Sequence, residues 1–194
     1  MLALGTGIGG GIILNGKVLM GAHAAAGEVS GLVSNMAAME TETFEMNKVE
    51  TFSDAPLWAG AASATGLIRE YARQKKLSLQ GPLPTGEEIF AAYNAGEPEA
   101  QKALKIFARR VAVGILSLQN VLDVEKVAIG GGISKQPLLL DSLRRVYAGL
   151  FASRGDSPYM IGLPRTEIVP CHFSSEANQV GALYACLHTV GRMD

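Results

Sequence analysis

Seven residues near the amino terminus, Gly5-Thr6-Gly7-Ile8-Gly9-Gly10-Gly11, include five glycines. Without a Cβ, glycine lets backbone N–H groups come close to an anion. The short apolar run Leu2-Ala3-Leu4 leads into the cluster, and Ile12-Ile13-Leu14 leads out. Asn15-Gly16 then reverses the chain into Lys17-Val18-Leu19-Met20. Asn-Gly between apolar runs is a strong hairpin signal, because both central residues must accept positive φ. The glycines therefore belong to a turn between strands. Two readings stand for them: a phosphate-gripping β-turn, and a glycine-rich hairpin that only packs tightly.

Two other phosphate motifs do not fit. Gly5-Thr6-Gly7-Ile8-Gly9-Gly10 has the letters of G-x-G-x-x-G. That fingerprint needs a helix directly after the glycines, and here a β-hairpin follows. A Walker A loop needs Lys and then Ser or Thr after its last glycine, and neither is present.

A second glycine cluster lies downstream. Val127-Ala128-Ile129 reads as a short buried strand running into Gly130-Gly131-Gly132, with a helix expected from Pro137 to about Ser153. Strand, glycines and helix in that order set a helix N-terminus against a ligand, or make a tight strand-to-helix turn; both can hold together. His23, His172 and His188 are scattered and read as packing or surface residues. Cys171 and Cys186 have no metal-ligand spacing and read as small buried hydrophobes in a reducing cytoplasm. Trp58 reads as a core or lobe-interface residue, and the methionines between Met36 and Met46 as adaptable packing.

The elements that must position these glycines follow from pattern. In 194 residues, 48% of them hydrophobic, there is enough apolar material for a real core. A net charge of −1 argues against a general nucleic-acid surface. Arg109-Arg110 and Arg144-Arg145 read as solvated helix faces. No apolar run approaches the length of a membrane span, and no signal peptide is expected. Pro56 opens a helical pattern to about Lys76. Thr85 and Glu88 form a capping box for a helix over 87–95, ending at Gly96. The longest helix starts at Glu97-Pro98-Glu99 and runs to about Leu122, with the apolar stripe Ala103, Ile106, Phe107, Val111, Ile115, Leu118 and Leu122 expected to lie on a sheet. Met36-Ala37-Ala38-Met39-Glu40 reads as a short strand or a turn. Glu167–Cys171 reads as a strand and Glu176 to about Val190 as the last helix. Strands alternating with helices mean an α/β domain with a partly parallel sheet.

These segments resemble a family. Leu4-Gly5-Thr6-Gly7-Ile8-Gly9-Gly10-Gly11-Ile12-Ile13, Asn15-Gly16-Lys17, Gly21 and Ala26-Gly27-Glu28 look like the phosphate and sugar segments of the ROK family (repressor, open reading frame, kinase). Its members are sugar kinases and sugar-sensing repressors of the actin–hexokinase superfamily. Asn120 to Gly132 resembles the family's adenosine segment, and Glu176-Ala177-Asn178-Gln179-Val180-Gly181-Ala182 the start of its C-terminal helix.

The resemblance implies an α/β, ribonuclease H-like fold. Residues 1–194 would be a C-terminal ATPase domain, with 21–120 a mostly helical lobe and 1–20 and 121–194 the α/β core. It implies ATP-dependent phosphorylation of a hexose or β-glucoside at its primary 6-hydroxyl. ATP and Mg²⁺ are the expected cofactors, the metal held by phosphates and water. Gly5, Thr6, Gly7 and Gly9 would hold phosphates, Gly130, Gly131 and Gly132 adenosine, and Glu28 the sugar, with Asn35 and the Ser63–Thr65 segment as further sugar contacts. The family's catalytic aspartate lies in an N-terminal domain, so no catalytic residue is expected here and the chain alone is expected to be inactive. Gly31 stands where a zinc-binding histidine is usual, and no cysteine lies between residues 31 and 170. No structural zinc is therefore expected, as in the zinc-free branch that includes β-glucoside kinases. The stretch from Thr85 to Pro98 is similar to those enzymes. Ala59 or a neighbour stands where a further sugar-contacting glutamate is usual. The implied partners are a sugar, a nucleotide and a second copy in a cytoplasmic homodimer, with no nucleic acid and no membrane. The alternative is the effector domain of a sugar-sensing repressor, or a non-catalytic fragment.

Overall fold

The computed structural model describes residues 1–37, 56–152, 164–173 and 176–189. Strands β1 (Leu2–Leu4) and β2 (Ile8–Gly10) pair antiparallel with Leu4 opposite Ile8, which leaves Gly5-Thr6-Gly7 as the turn. β3 (Ile13–Leu14) and β4 (Lys17–Val18) form the second hairpin. Its turn residues Asn15 and Gly16 have φ of 52° and 76°, the left-handed geometry that Asn-Gly favours. β5 (Lys126–Gly130) pairs parallel with β1, and β6 (Glu167–Pro170) parallel with β5. The sheet order is β2-β1-β5-β6, partly parallel as expected.

Among the described residues, four α-helices lie between β4 and β5. The single helix expected from Pro56 is two: α1 (Trp58–Ala62) and α2 (Ala64–Gln74). The break falls at Ser63, whose backbone is extended and whose Oγ accepts the Gly66 amide at 3.1 Å. This is an N-cap, which satisfies a helix donor that would otherwise be orphaned. In α3 (Gly86–Asn94) the capping box is present. Thr85 Oγ1 accepts the Glu88 N–H at 3.2 Å, and Glu88 Oε2 accepts the Thr85 N–H at 2.7 Å. The chain then turns at Gly96 with φ 84°.

The longest helix, α4 (Pro98–Leu122), buries Ala103, Phe107, Val111 and Ile115 completely. They join Leu2, Leu4, Trp58, Leu67, Ile129 and Leu143 in one apolar cluster. The helical neighbours of α4 are chiefly α1, α2, α3 and α5 (Pro137–Ala152), and its buried stripe also shares the core with Leu2, Leu4 and Ile129 of the sheet. The final helix is α6 (Ala177–Thr189). Among the described residues, no helix is long and apolar enough to cross a membrane.

Several expectations change. Arg110 is not a solvated face: its Nη2 lies 2.9 Å from Oε2 of the buried Glu70. Arg144 donates from Nε to the Ile168 carbonyl at 2.8 Å and so ties α5 to β6. Cys186 is exposed and Cys171 only partly covered. Leu183 and Tyr184, on the same helix as Cys186, are also exposed. Met36 is 72% exposed rather than packed. Ala38, Met39, Glu40 and Met46 lie outside the described residues, as do the expected helix ends at Ser153 and Val190.

Candidate functional site

Strands β1 and β5 run side by side, Leu2 opposite Ile129 and Ala3 opposite Gly130. Their carboxyl ends open on the same edge of the sheet, the edge at which α/β sheets receive ligands. The Gly5–Gly7 turn leaves from the end of β1, and Gly131-Gly132 from the end of β5. Gly131 has φ 89°, and a Cβ there would stand 2.3 Å from the Leu4 carbonyl oxygen. The two glycine clusters, far apart in sequence, are therefore neighbours.

Within the turn the backbone groups divide into two sets. The Gly5 N–H donates to the Gly7 carbonyl at 3.0 Å, and the Gly5 carbonyl accepts the Ala64 N–H at 2.8 Å. Both polar groups of Gly5 thus hold the shape of the turn. Thr6 and Gly7 are exposed, and neither amide makes a hydrogen bond to a described residue. A Cβ on Gly5 or Gly7 would meet nothing within 4 Å, and neither residue has positive φ. The fold itself does not require glycine at either position. At Gly9 the nearest contact would be an ordinary 3.7 Å to Ala3 Cβ. Gly10 differs, because a Cβ there would stand 2.3 Å from the Gly27 carbonyl oxygen. Tight packing therefore explains Gly10 but leaves Gly5 and Gly7 without a reason inside the chain.

The downstream cluster also divides. Gly130 is buried at the end of β5, Gly131 packs on Leu4, and Gly132 is exposed with open space where a Cβ would be. A 3-10 turn, Gly132–Lys135, follows directly and α5 begins only at Pro137. The glycines hence abut a 3-10 turn and not the N-terminus of the expected α-helix. The Ser134 Oγ donates to the Gly131 carbonyl at 2.7 Å and fixes that bend.

Glu28 is carried on a loop held against β2 by the Gly10–Gly27 approach. Gly21, Ala24 and Gly27 in this loop have φ of 73°, 55° and 95°. Val29 anchors it by burial, while Glu28 is exposed and its carboxylate makes no hydrogen bond or ion pair with a described residue. Asn35 goes elsewhere: it lines a cavity of about 520 Å³ with Leu32, Trp58, Arg109 and Val113, and neither Glu28 nor either glycine cluster borders it. Of the Ser63–Thr65 segment, Ser63 is buried as a cap and Ala64 reaches the turn. Ala59 packs against the core. His23 and His172 are exposed, and no group of three or more His, Cys, Asp or Glu able to hold a metal ion occurs among the described residues.

Sequence reasoning missed the contact of Ala64 with Gly5. The signal was Ser63 followed by a helical pattern, a cap sequence that splits the helix and aims its first amide outward.

The sequence profile of the ROK family matches residues 1–188. The chain belongs to the ROK family. A β-glucoside kinase from Listeria innocua is 29% identical over 192 residues, covering 98% of this chain and 57% of the relative. A ROK family protein from Streptococcus pneumoniae, solved with sucrose, superposes with a TM-score of 0.75 at 23% identity, over 99% of this chain and 58% of the other. A ROK glucokinase from Streptomyces griseus, solved with glucose and AMPPNP, superposes at 0.74 and 23% identity, over 95% and 58%. This ROK chain thus has the α/β fold of the actin–hexokinase ATPases, as its glycine segments imply. It spans little more than half the length of the relatives it matches.

Proposed function

We propose that this ROK chain is the nucleotide-gripping and sugar-orienting part of a sugar kinase. The whole enzyme moves a phosphoryl group from ATP to the primary 6-hydroxyl of a hexose or β-glucoside. One observation carries the reading: two glycines that the fold does not need flank exposed, unpartnered amides at the carboxyl edge of parallel strands. The sugar-kinase names of the relatives support it.

Phosphoryl transfer depends on positioning and charge stabilisation more than on covalent help. Donors already aimed at developing charge need no reorganisation at the moment of reaction. In this reading Thr6 and Gly7 offer N–H groups to the β- and γ-phosphates, and Thr6 adds its hydroxyl. Gly5 shapes the turn, and Gly9 leaves the approach clear. Gly132 is the open face for adenosine, set in place by Gly130 and Gly131. Glu28 accepts hydrogen bonds from two sugar hydroxyls, which fixes orientation. Bound ATP would supply the transferred group, and Mg²⁺, held by phosphates and water, would neutralise charge there. No residue of this chain is assigned as the base, and turnover requires the remainder of the enzyme.

Calorimetric titration with AMPPNP and Mg²⁺ tests the reading. The wild-type chain should bind saturably, and Gly7→Ala should weaken binding at little cost to the melting temperature of the free chain, since its Cβ meets nothing within 4 Å. A wild-type chain that takes up sugar but no nucleotide would sink the kinase reading and favour a sensor.

A further inference from the structure

We infer that the backbone amide of Ala64 is a positioning donor for the phosphate turn, and that the α1–α2 corner exists to hold it there. The inference rests on the nucleotide role proposed for that turn. The Ala64 N–H is the first of α2, and the first amides of a helix have no partner within it. Here the Ala64 N–H donates to the Gly5 carbonyl at 2.8 Å, and the Gly5 N–H donates to Gly7 at 3.0 Å. Gly5 is held from both sides, and only Thr6 and Gly7 keep their amides open.

The corner that aims this amide is braced at several points. Ser63 Oγ takes the Gly66 N–H at 3.1 Å. Gly66 lies so close to α1 that a Cβ would stand 2.8 Å from the Ala61 carbonyl carbon. Trp58 Nε1 donates to the Arg110 carbonyl at 3.0 Å, and the Arg110 guanidinium meets Glu70 at 2.9 Å. Both helices of the corner are thereby fastened to the same residue of α4. A corner that served packing alone would not need its first amide directed at the Gly5 carbonyl of the turn.

Replacing Ala64 by its α-hydroxy acid (lactate), which puts an ester oxygen where the amide N–H stood, deletes this donor without added bulk, whereas Ala64→Pro would drive its Cδ against the Gly5 carbonyl oxygen, only 2.8 Å from the nitrogen. Two readouts follow. In the ligand-free chain, exchange of the Gly5 amide should speed up at least about twofold, the low end of what loss of one hydrogen bond releases, while the Leu67 amide inside α2 exchanges as before. Affinity for AMPPNP–Mg²⁺ should fall at least about twofold, with the melting temperature little changed. Ala64→Gly keeps the N–H and should bind as the wild type does. A Gly5 amide that exchanges at the wild-type rate, or a smaller loss of affinity, overturns the inference. If the wild type binds no nucleotide, the kinase reading and the affinity claim fall together, and Gly5 exchange still decides whether Ala64 orders the turn.

Discussion

Gly131 stands against the backbone of Leu4, so close that a Cβ would lie 2.3 Å from the Leu4 carbonyl oxygen and 2.9 Å from its nitrogen. The end of β5 is thus locked to the residue that leads into the Gly5–Gly7 turn. Glycine is required twice over at 131, by this approach and by a backbone at φ 89° and ψ 166° that only glycine adopts readily. Gly131→Ala should cost about 2–4 kcal/mol. That corresponds to a fall in Tm of about 5–15 °C for a chain of this size, read by thermal denaturation. Gly132→Ala is the control, because a Cβ there meets nothing. It should stay within about 0.5 kcal/mol of wild type.

Ala24 holds φ 55° in the loop that carries Glu28. An L-residue with a Cβ in that region bears about 1–2 kcal/mol of strain, and glycine returns part of the gain through its freer unfolded chain. Ala24→Gly should therefore raise stability by about 0.5–1 kcal/mol. A melting curve displaced to lower temperature would show that Ala24 makes contacts outweighing its strain.

Features set by local rules were legible in the sequence. The Asn15-Gly16 turn and the Thr85–Glu88 capping box depend on residues within a few positions of one another, and both stand as expected. Features set by a distant partner were not. The break at Ser63 sits in an alanine-rich stretch whose propensity favours helix, and a hydrogen bond to Gly5 helps fix it. Gly5 and Gly7 are the same letter, yet one amide closes the turn and the other is open. Arg110 sits in a doublet that reads as solvated, but a carboxylate on another helix takes it inward. Periodicity cannot tell which apolar helix lacks a cover, so the exposure of Leu183 on α6 was also hidden.

Glu70 ties α2 to α4. One oxygen accepts from Arg73 and from Gln74, the latter at 2.6 Å, and the other meets Arg110 at 2.9 Å. Burial pushes its pKa up, but the hydrogen bonds from Arg73 and Gln74 and the charges of Arg110 and Arg73 outweigh that and hold it below 4.5. A carboxylate with a lowered folded-state pKa binds fewer protons folded than unfolded in the acid range. Its stabilisation is complete above the unfolded value and is lost as the pH falls through the folded one. Glu70→Gln should cost about 2–3 kcal/mol at neutral pH, because it leaves two guanidinium groups without their charge partner. The gap in Tm between the variant and the wild type should close as the pH drops below 4.5. A gap that stayed constant from neutral pH to pH 3 would mean that packing, not charge, accounts for the loss.

Cys186 and Cys171 differ in accessibility: Cys186 is exposed on α6, whereas Cys171 is half covered with its Sγ 3.8 Å from the Met1 Sδ. Access helps set the rate at which a thiol reacts, and Cys186 is the more accessible of the two. A chromogenic disulfide reagent should label Cys186 in a fast phase and Cys171 more slowly, and Cys186→Ser should remove the fast phase. The same geometry predicts that Leu183→Lys leaves the Tm of the 194-residue chain unchanged, since Leu183 is 60% exposed and loses little apolar burial. A slow single phase for both thiols, with a Tm lowered by Leu183→Lys, would mean that α6 is covered in solution, and the exposed stretch from Leu183 to Cys186 would then be an interface.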